Sequence, residues 1–227
     1  MDDTMRRLGW PRSAGTLRPT PLPVVGLVWV LIFFLPCPAF SQIQRTVGVH
    51  LGQARSHQTW DGPIATENAH GFILGVNVEV PTPVSFLSIR AELSYVRRGS
   101  SIWDEVLDPE GVAPAFVRSH YLNVPIVGKV NLRLGPSSLY LFAGPAFDLL
   151  LETECSQDLC GVLFDERPTV FAVTFGSGVS VDLWDRYRAG LELRVTEGLS
   201  SAYVAASSDV RYRSLELLIR ASFPFGG

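Results

Sequence analysis

Apolar residues alternate with small or polar residues in segment after segment from Gln42 onward. The first segment places Val47, Val49 and Leu51 on one face, and seven more segments between residues 72 and 225 repeat this period of two. Successive side chains of a β-strand point to opposite faces, so the alternation predicts strands that each carry one apolar face. We therefore expect an all-β fold of eight antiparallel strands, an even number that can close into an up-and-down barrel.

The connections between the predicted strands alternate in length. Long connections rich in Gly, Ser, Asp and Glu follow the odd-numbered strands, at residues 55–69, 99–118, 153–168 and 198–211. Tight turns follow the even-numbered strands, at residues 81–83, 135–137 and 184–186. A transmembrane β-barrel has this asymmetry, with short periplasmic turns on one rim and long extracellular loops on the other. The segments also reach about 10 residues, enough to cross a bilayer at a tilt.

Ionisable residues collect on the face opposite the apolar one. They are Arg90, Glu92, Lys129, Asp148, Asp182, Glu192, Arg194, Glu216 and Arg220. The interior of an eight-stranded barrel is only wide enough to be filled by side chains. A continuous apolar face suits lipid on the outside, whereas in water it would be an untenable exposed patch. We therefore predict an eight-stranded transmembrane β-barrel, monomeric, with a lumen charge network of mixed sign.

Two questions about this barrel stay open at the level of sequence. The charge network can plug the lumen by mutual pairing, or it can line a path for protons or ions; the narrow bore favours the plug. The whole chain can also be a periplasmic, lipocalin-like binder of a small ligand, which would place its apolar face inside. The lumen charges argue for the membrane barrel and against that alternative.

The first 41 residues differ in character from the rest. Four arginines precede an apolar run at residues 23–35, and a small-residue site at Ala39 and Ser41 follows. This order is typical of a secretory signal peptide, so we predict cleavage after Ser41, export, and a barrel domain at residues 42–227 in the outer membrane. Translation can start at Met1 or at Met5. An uncleaved anchor is the rival, although the run is short of the roughly 20 residues that a span needs, and a lipoprotein acylated at Cys37 is a third option.

Charge and cysteine content exclude some classes of partner. Without residues 1–41 the chain has 15 basic and 20 acidic residues, a net charge of −5, with no basic stripe for nucleic acid. It keeps Cys155 and Cys160, a closely spaced pair that in an exported protein predicts a disulfide across a short loop. Metal binding is the rival interpretation, but two thiols without a nearby histidine make only half a site.

Catalytic motifs are sparse. The sequence has no glycine-rich phosphate loop and no nucleophile elbow, so we expect no catalysis, no cofactor and no metal. A lipid-A-modifying enzyme at the barrel rim is the alternative, because His120 stands beside Ser119; adjacent strand residues point to opposite faces, which disfavours a dyad. The acids at 104, 105, 108 and 110 could bind calcium, but a solvated acidic loop is the simpler interpretation.

Aromatic and basic residues lie near the predicted strand ends. We expect Tyr95, Tyr121 and Tyr212 to belong to an interfacial girdle on the loop side. Arg97 and Arg98 follow at the same rim, where they can meet lipopolysaccharide phosphates or stay as solvated charges. Outer-membrane lipid and lipopolysaccharide are thus the expected surroundings, and the loops are available to a partner that the sequence does not identify.

Several stretches resemble the PorT-like or OmpX-like outer-membrane β-barrel domain family over residues 44–227. IRAELSYVRRGS at 89–100 looks like the family's third strand, HYLNVPIVGKVNL at 120–132 like its "YLEIPLLLKY" strand, and LYLFAGPAF at 139–147 like its "AGP" strand. Phe225, with Phe223 before it, is similar to the C-terminal aromatic signal for the barrel assembly machinery, although two glycines follow it. The resemblance implies the barrel architecture and no shared catalytic residues.

Overall fold

The computed structural model describes residues 45–60, 66–102, 115–155, 163–183, 187–205 and 208–225. The predicted signal peptide, Cys160, the predicted turn at 184–186 and the acids at 104, 105, 108 and 110 lie outside the described residues. The described residues form ten strands. Their bounds are β1 (Arg45–Trp60), β2 (Thr66–Pro81), β3 (Leu87–Ile102), β4 (Ala115–Leu134), β5 (Ser137–Cys155), β6 (Leu163–Glu166), β7 (Thr169–Leu183), β8 (Tyr187–Gly198), β9 (Tyr203–Ala205) and β10 (Ser208–Phe225).

Eight of these strands close into an antiparallel barrel. The order around the ring is β1-β2-β3-β4-β5-β7-β8-β10, and β10 pairs with β1 from Arg45 opposite Phe225 to Trp60 opposite Val210. This confirms the predicted eight-stranded up-and-down fold. No helix among the described ranges has the length and hydropathy needed to span a bilayer.

The strands extend beyond the alternating segments on the side of the long connections. β1 continues to Trp60 and β2 begins at Thr66, so most of the connection predicted at 55–69 is sheet. The predicted connections 153–168 and 198–211 likewise contain β6 and β9, which pair with each other, while β9 also pairs with β10. The prediction of these bounds was wrong because the outward positions become polar above the membrane while backbone pairing continues. The β-sheet wall therefore extends beyond the apolar band on the side of the long connections.

The opposite rim is formed by short turns. β4 and β5 are joined by Gly135 and Pro136 alone, and Gly135 has a φ of +66°, a left-handed conformation that glycine adopts without strain. The chain from Pro81 to Leu87 is held by hydrogen bonds from Thr82 to the carbonyl of Leu87. These turns keep consecutive strands in fixed register at this end.

The two faces of the wall have opposite chemistry. Outward side chains are apolar and exposed, as at Leu141 (60%) and Ile219 (59%), whereas inward acids such as Glu192 and Glu216 are fully buried. A band of exposed aliphatic side chains around a closed ring fits a lipid environment. The predicted assignment of faces is thereby confirmed, and the polar lumen is the feature that sets the site apart.

Candidate functional site in the barrel lumen

The centre of the lumen holds two carboxylates that share three arginines. Glu92 lies 2.6 Å from Nε of Arg90 and 2.7 Å from an Nη2 atom of both Arg194 and Arg220. Glu192 contacts the same three guanidinium groups, at 3.0 Å, 2.9 Å and 2.8 Å. All five side chains are nearly or fully buried. We call this set the central ion layer.

The central ion layer spans the full width of the barrel. Arg90 and Glu92 lie on β3, and Glu192 and Arg194 lie on β8, four strands away in either direction around the ring. Side chains at successive inward positions of one strand alternate in sign on both β3 and β8, so each strand presents an acid to the arginine of the other. The network therefore joins opposite walls, in addition to the backbone ladder that joins neighbours.

Aromatic rings and a histidine complete this layer. The hydroxyl of Tyr140 donates a hydrogen bond to Glu192 at 3.1 Å, and the Arg90 guanidinium stacks 4.8 Å from the ring centre of Phe142. Nε2 of His50 is hydrogen-bonded to Oγ of Ser94 at 2.8 Å and lies 3.9 Å from Glu92. At this level, side chains from several strands contact one another directly across the lumen.

Glycines on the wall make room for these rings. A Cβ at Gly176 would fall 2.6 Å from Cζ of Phe142, and a Cβ at Gly178 would overlap the Tyr140 ring. Both glycines are on β7, the neighbour of β5, so an aromatic side chain from β5 packs against the backbone of β7. Such close approach requires a residue without a side chain.

A second cluster lies nearer the long-connection rim. Arg98 on β3 contacts Asp148 and, at 3.0 Å, Glu216. Asp148 also accepts hydrogen bonds from Tyr212 and, at 2.6 Å, from Asn123. Arg98 and Asp148 are both buried, at 2% and 0% exposure. We call this set the outer ion cluster; it ties β3 to β5 and β10 across the lumen.

A third ion pair lies at the turn end of the lumen. Nζ of Lys129 donates to Glu79 at 2.9 Å, and Ser88 donates to the same carboxylate at 2.7 Å. Between this pair and the central ion layer is a pocket of ≈ 30 Å³, lined in part by Arg90, Lys129 and Tyr140. Sites for small organic ligands measure roughly 300–1,000 Å³. This cavity has room for one or two water molecules.

The charges of the three sets balance. The five buried cations are Arg90, Arg98, Lys129, Arg194 and Arg220. The five acids that contact them are Glu79, Glu92, Asp148, Glu192 and Glu216. Burial of a charge is costly unless the charge is paired and hydrogen-bonded. Because the two counts are equal, these three sets give the described part of the lumen no net charge.

Eight of the nine residues predicted for the lumen network are buried there, and the structure corrects the ninth. Asp182 is exposed at the turn rim, where Nε of Arg188 lies 2.6 Å from Oδ1 of Asp182. Its position on the inward face is right, but that face has already left the lumen at the end of β7. Alternation specifies the face of a residue and not its depth.

Arg98 is the clearest omission of the sequence prediction. It was expected at the rim with Arg97, yet it belongs to the outer ion cluster, and Arg97 alone points outward, over the Phe72 ring. Tyr121 and Tyr212 are also buried in the lumen, at 2% exposure each, so their assignment to an outer girdle was wrong. The signal that could have found all three is the parity of β3, β4 and β10 continued past the apolar segments.

Other sequence candidates are separated by the fold. Ser119 is buried on the lumen side, whereas His120 is partly exposed outside, hydrogen-bonded to the hydroxyl of Tyr95 and 3.6 Å from Glu154. They cannot act on one substrate atom from these faces. No group of three or more potential metal-ligating side chains occurs in the described ranges. Cys155 ends β5, and its disulfide with Cys160 stays a prediction.

Comparison with known families decides the class of this barrel. Residues 38–204 match the family model described as "Outer membrane protein beta-barrel domain". The chain belongs to this family. Its place is therefore the outer membrane, as the outward apolar band and the polar lumen predict. No curated protein sequence matches the chain.

Solved barrels of this class share the architecture. The outer membrane protein OprG from Pseudomonas aeruginosa is similar with a TM-score of 0.53 at 8% identity, covering 82% of this chain and 98% of that chain. Neisserial surface protein A has a TM-score of 0.48 at 14% identity, covering 80% and 97%. A major outer membrane protein from Thermus thermophilus has 0.48 at 11%, covering 81% and 100%. The likeness to OprG shows the shared fold of a small outer-membrane barrel.

Proposed function

We propose that this protein is a structural and interaction barrel of the outer membrane, whose lumen is plugged by its own ion pairs and whose partners are met through the long-connection rim. The observation that supports this is the central ion layer, in which Glu92 and Glu192 each contact three arginines across the barrel diameter. A barrel built for passage would leave such a section open.

A solute passing through the lumen would have to displace buried ion pairs. Breaking a buried ion pair by removing one partner costs about 3–5 kcal/mol, because the other charge stays buried and uncompensated. An ion crossing the central ion layer would have to separate several of these contacts at once. The outer ion cluster adds a second section of the same kind. We therefore expect diffusion through the lumen to be blocked.

The lumen also gives no support to the lipocalin-like alternative. An apolar ligand needs an apolar cavity, and the ≈ 30 Å³ pocket is lined mainly by charged and hydroxyl side chains such as Lys129, Tyr140 and Ser180. The rim-enzyme alternative is disfavoured by the opposite faces of Ser119 and His120. We therefore place the interaction role on the outer face of the wall and on the long connections.

Conductance measures the plug directly. The mature protein, folded into planar phospholipid bilayers, is expected to give no discrete conductance steps. A matched double variant, Glu92→Ser with Arg194→Ser, removes one acid and one base that are 2.7 Å apart, so the net charge of the lumen is unchanged. It should open steps that the wild-type barrel lacks. Regular steps from the wild type would overturn the proposed plug.

The interaction role is tested on intact membranes. Replacing residues 103–114, between β3 and β4, by a short Gly-Ser turn leaves every described strand in place. Crosslinking and pull-down from whole cells should then lose the proteins that co-purify with the wild-type barrel. Identical co-purifying proteins from both would show that this connection makes no specific contact.

Several finer features belong to the same proposal. Phe225, exposed at the end of β10 beside Arg45, would serve as the signal for the barrel assembly machinery. We also propose that the chain belongs to the PorT-like subgroup and is monomeric. We further propose that Cys155 and Cys160 form a disulfide and that residues 1–41 are removed. Mass spectrometry of the protein from outer membranes, with and without reductant, tests the last two together.

A further inference from the structure

The small cavity beside the central ion layer opens toward the turn rim. Three of its lining residues, Thr46, Arg188 and Ser222, lie close to the turn-side ends of β1, β8 and β10, and each is partly exposed. On its other side the cavity borders the central ion layer, through Arg90 and Arg220. We call it the turn-side cavity. A small solute can therefore enter it from the turn rim without crossing the central ion layer.

Two buried donors on the wall of the turn-side cavity lack a partner within the described ranges. Ser180 is 5% exposed, and its Oγ makes no hydrogen bond there. Arg90 is 1% exposed, and its Nη2 is likewise unpaired, although its other two nitrogens lie 2.6 Å and 3.0 Å from the acids of the central ion layer. A buried donor without an acceptor is costly, and bound water or an ion usually supplies the acceptor. Both donors belong to one cavity, which indicates a ligand that accepts hydrogen bonds.

The charges around the turn-side cavity favour an anion over water. Four cations line it, against the single acid Glu79; they are Arg90, Lys129, Arg188 and Arg220. Glu79 is already engaged by Lys129 at 2.9 Å and by Ser88 at 2.7 Å. Glu92 and Glu192, which pair with Arg90 and Arg220, are not lining residues. A ligand in the cavity is therefore surrounded mainly by N–H and O–H donors and by positive charge.

The distribution of charge along the lumen has the same direction. The central ion layer contains three arginines and two acids, whereas the outer ion cluster contains one arginine, Arg98, and two acids. The surplus acid is thus on the long-connection side, where Glu216 lies 3.9 Å from Arg194. The lumen sets balance as a whole, but positive charge is in excess beside the turn-side cavity. Attraction between charges is stronger in such a buried site than in water.

The size of the turn-side cavity restricts the anion. Its ≈ 30 Å³ has room for one or two atoms of the size of a water oxygen. Phosphate, sulfate and organic acids contain more heavy atoms than that. We propose that the turn-side cavity binds a monatomic anion, chloride, which enters from the turn rim and accepts hydrogen bonds from Ser180, Arg90 and Lys129. This site goes beyond the proposed plug and does not depend on whether the lumen conducts.

Thermal unfolding in chloride and in gluconate tests the site. The barrel, isolated from outer membranes in detergent micelles, is heated in sodium gluconate, with chloride substituted stepwise at constant ionic strength so that screening is equal. Gluconate is too large for the turn-side cavity. Chloride should raise the midpoint of the loss of β structure, followed by circular dichroism, by about 2–4 °C with saturation, because it binds the folded state alone. The same midpoint in both salts would mean that the cavity takes up water only, and would overturn the proposal.

A pair of serine variants locates the site. Ser180→Ala removes an unpaired donor, so it should leave the midpoint in gluconate unchanged and raise the half-saturating chloride concentration by about tenfold. The matched control is Ser138→Ala on β5, which is equally buried but does not line the turn-side cavity. It should leave the chloride response as in the wild type. A wild-type response from Ser180→Ala, or an equal weakening in both variants, overturns the proposal.

A pair of arginine variants separates the site from general attraction to the rim. Arg188→Gln removes a cation from the lining and breaks an exposed pair with Asp182, whereas Arg133→Gln removes the same charge at the same rim outside the cavity. Arg188→Gln should weaken chloride binding by about threefold or more, and Arg133→Gln should not. Equal weakening overturns the proposal. So does bromide bound only elsewhere, when crystals grown in sodium bromide are examined by anomalous scattering. Conductance enters none of these outcomes, so failure of the site is distinct from failure of the plug.

Discussion

Nη1 of Arg90 lies 3.0 Å from Oε2 of Glu192, although the two residues are on strands separated by four steps around the ring. The contact joins opposite walls of the barrel through its centre. Backbone hydrogen bonds hold each strand only to its neighbours and set the width of the closed ring, so contacts such as this one add a direct link between opposite walls. Because each acid of the central ion layer serves three arginines, loss of one acid affects the whole layer.

Removal of Glu192 should therefore be strongly destabilising. In Glu192→Ala the guanidinium groups of Arg90, Arg194 and Arg220 lose one of their two shared acids, and we expect a loss of about 3–5 kcal/mol in the free energy of unfolding. Urea unfolding in phospholipid vesicles measures it. The matched control is Asp182→Ala, which breaks the exposed pair with Arg188 and should cost less than about 1 kcal/mol. Equal losses in the two variants would contradict the role of the central ion layer.

Two adjacent arginines should respond differently to truncation. Arg98→Ala leaves Asp148 buried without a cation and leaves Glu216 with Arg194 alone, 3.9 Å away. The free energy of unfolding should therefore fall by about 3–5 kcal/mol in vesicles of phosphatidylcholine. Arg97→Ala removes only an outward contact with the Phe72 ring, worth about 0.5–1 kcal/mol. If Arg97→Ala is the more damaging of the two, the inward parity of Arg98 on β3 is wrong.

The lumen residues differ in how far their positions can be predicted from the sequence. Period-two alternation predicts which face a side chain takes, so Arg90, Glu92, Glu192 and Arg194 could be placed in the lumen from sequence. It carries no information on depth, which is why Asp182 was put in the network. Where the wall extends beyond the membrane, the outward residues are polar as well, so the alternation of apolar and polar residues is no longer visible. The inward position of Arg98 was therefore not predicted.

The pairing within the lumen could not be predicted either. Which acid meets which base depends on the stagger of strands far apart in sequence, as with Glu92 and Arg194, which are 102 positions apart. Tyr140 and Phe142 share the parity of Asp148 on β5 and could have been assigned to the lumen on that ground. Glu79 could have been added in the same way, from its place two residues after Asn77.

A charge on the lipid face should be harmful in proportion to its depth. Leu191 is outward and half-exposed in the middle of the wall, so Leu191→Arg should cost about 2–4 kcal/mol. Leu134, the last residue of β4, is also outward, and Leu134→Arg should cost about 0–1 kcal/mol because the rim is near water. Folding yield in vesicles and the urea midpoint measure both. A water-soluble Leu191→Arg barrel with native strand content would contradict the membrane-facing assignment.

Two wall glycines should respond in opposite directions when they are replaced by alanine. A Cβ at Gly178 would overlap the Tyr140 ring, whereas at Gly128 the nearest atom to a Cβ is 3.9 Å away. Gly178→Ala should destabilise the barrel by about 1–3 kcal/mol through overpacking, measured as a shift in the urea midpoint. Gly128→Ala should be neutral or slightly stabilising, since alanine loses less conformational freedom on folding.

A double-mutant cycle separates overlap from a backbone effect at Gly178. Tyr140→Ala alone loses the hydrogen bond to Glu192 and leaves a void beside β7. In that background the ring no longer opposes the added methyl group of Gly178→Ala, and only the Leu191 carbonyl, 2.8 Å from the Cβ, still does. The two losses should therefore be less than additive, with a coupling of about 1 kcal/mol or more. Additive losses would mean that Gly178 acts through its backbone alone. The ring and the glycine would then contribute independently to the stability of the barrel.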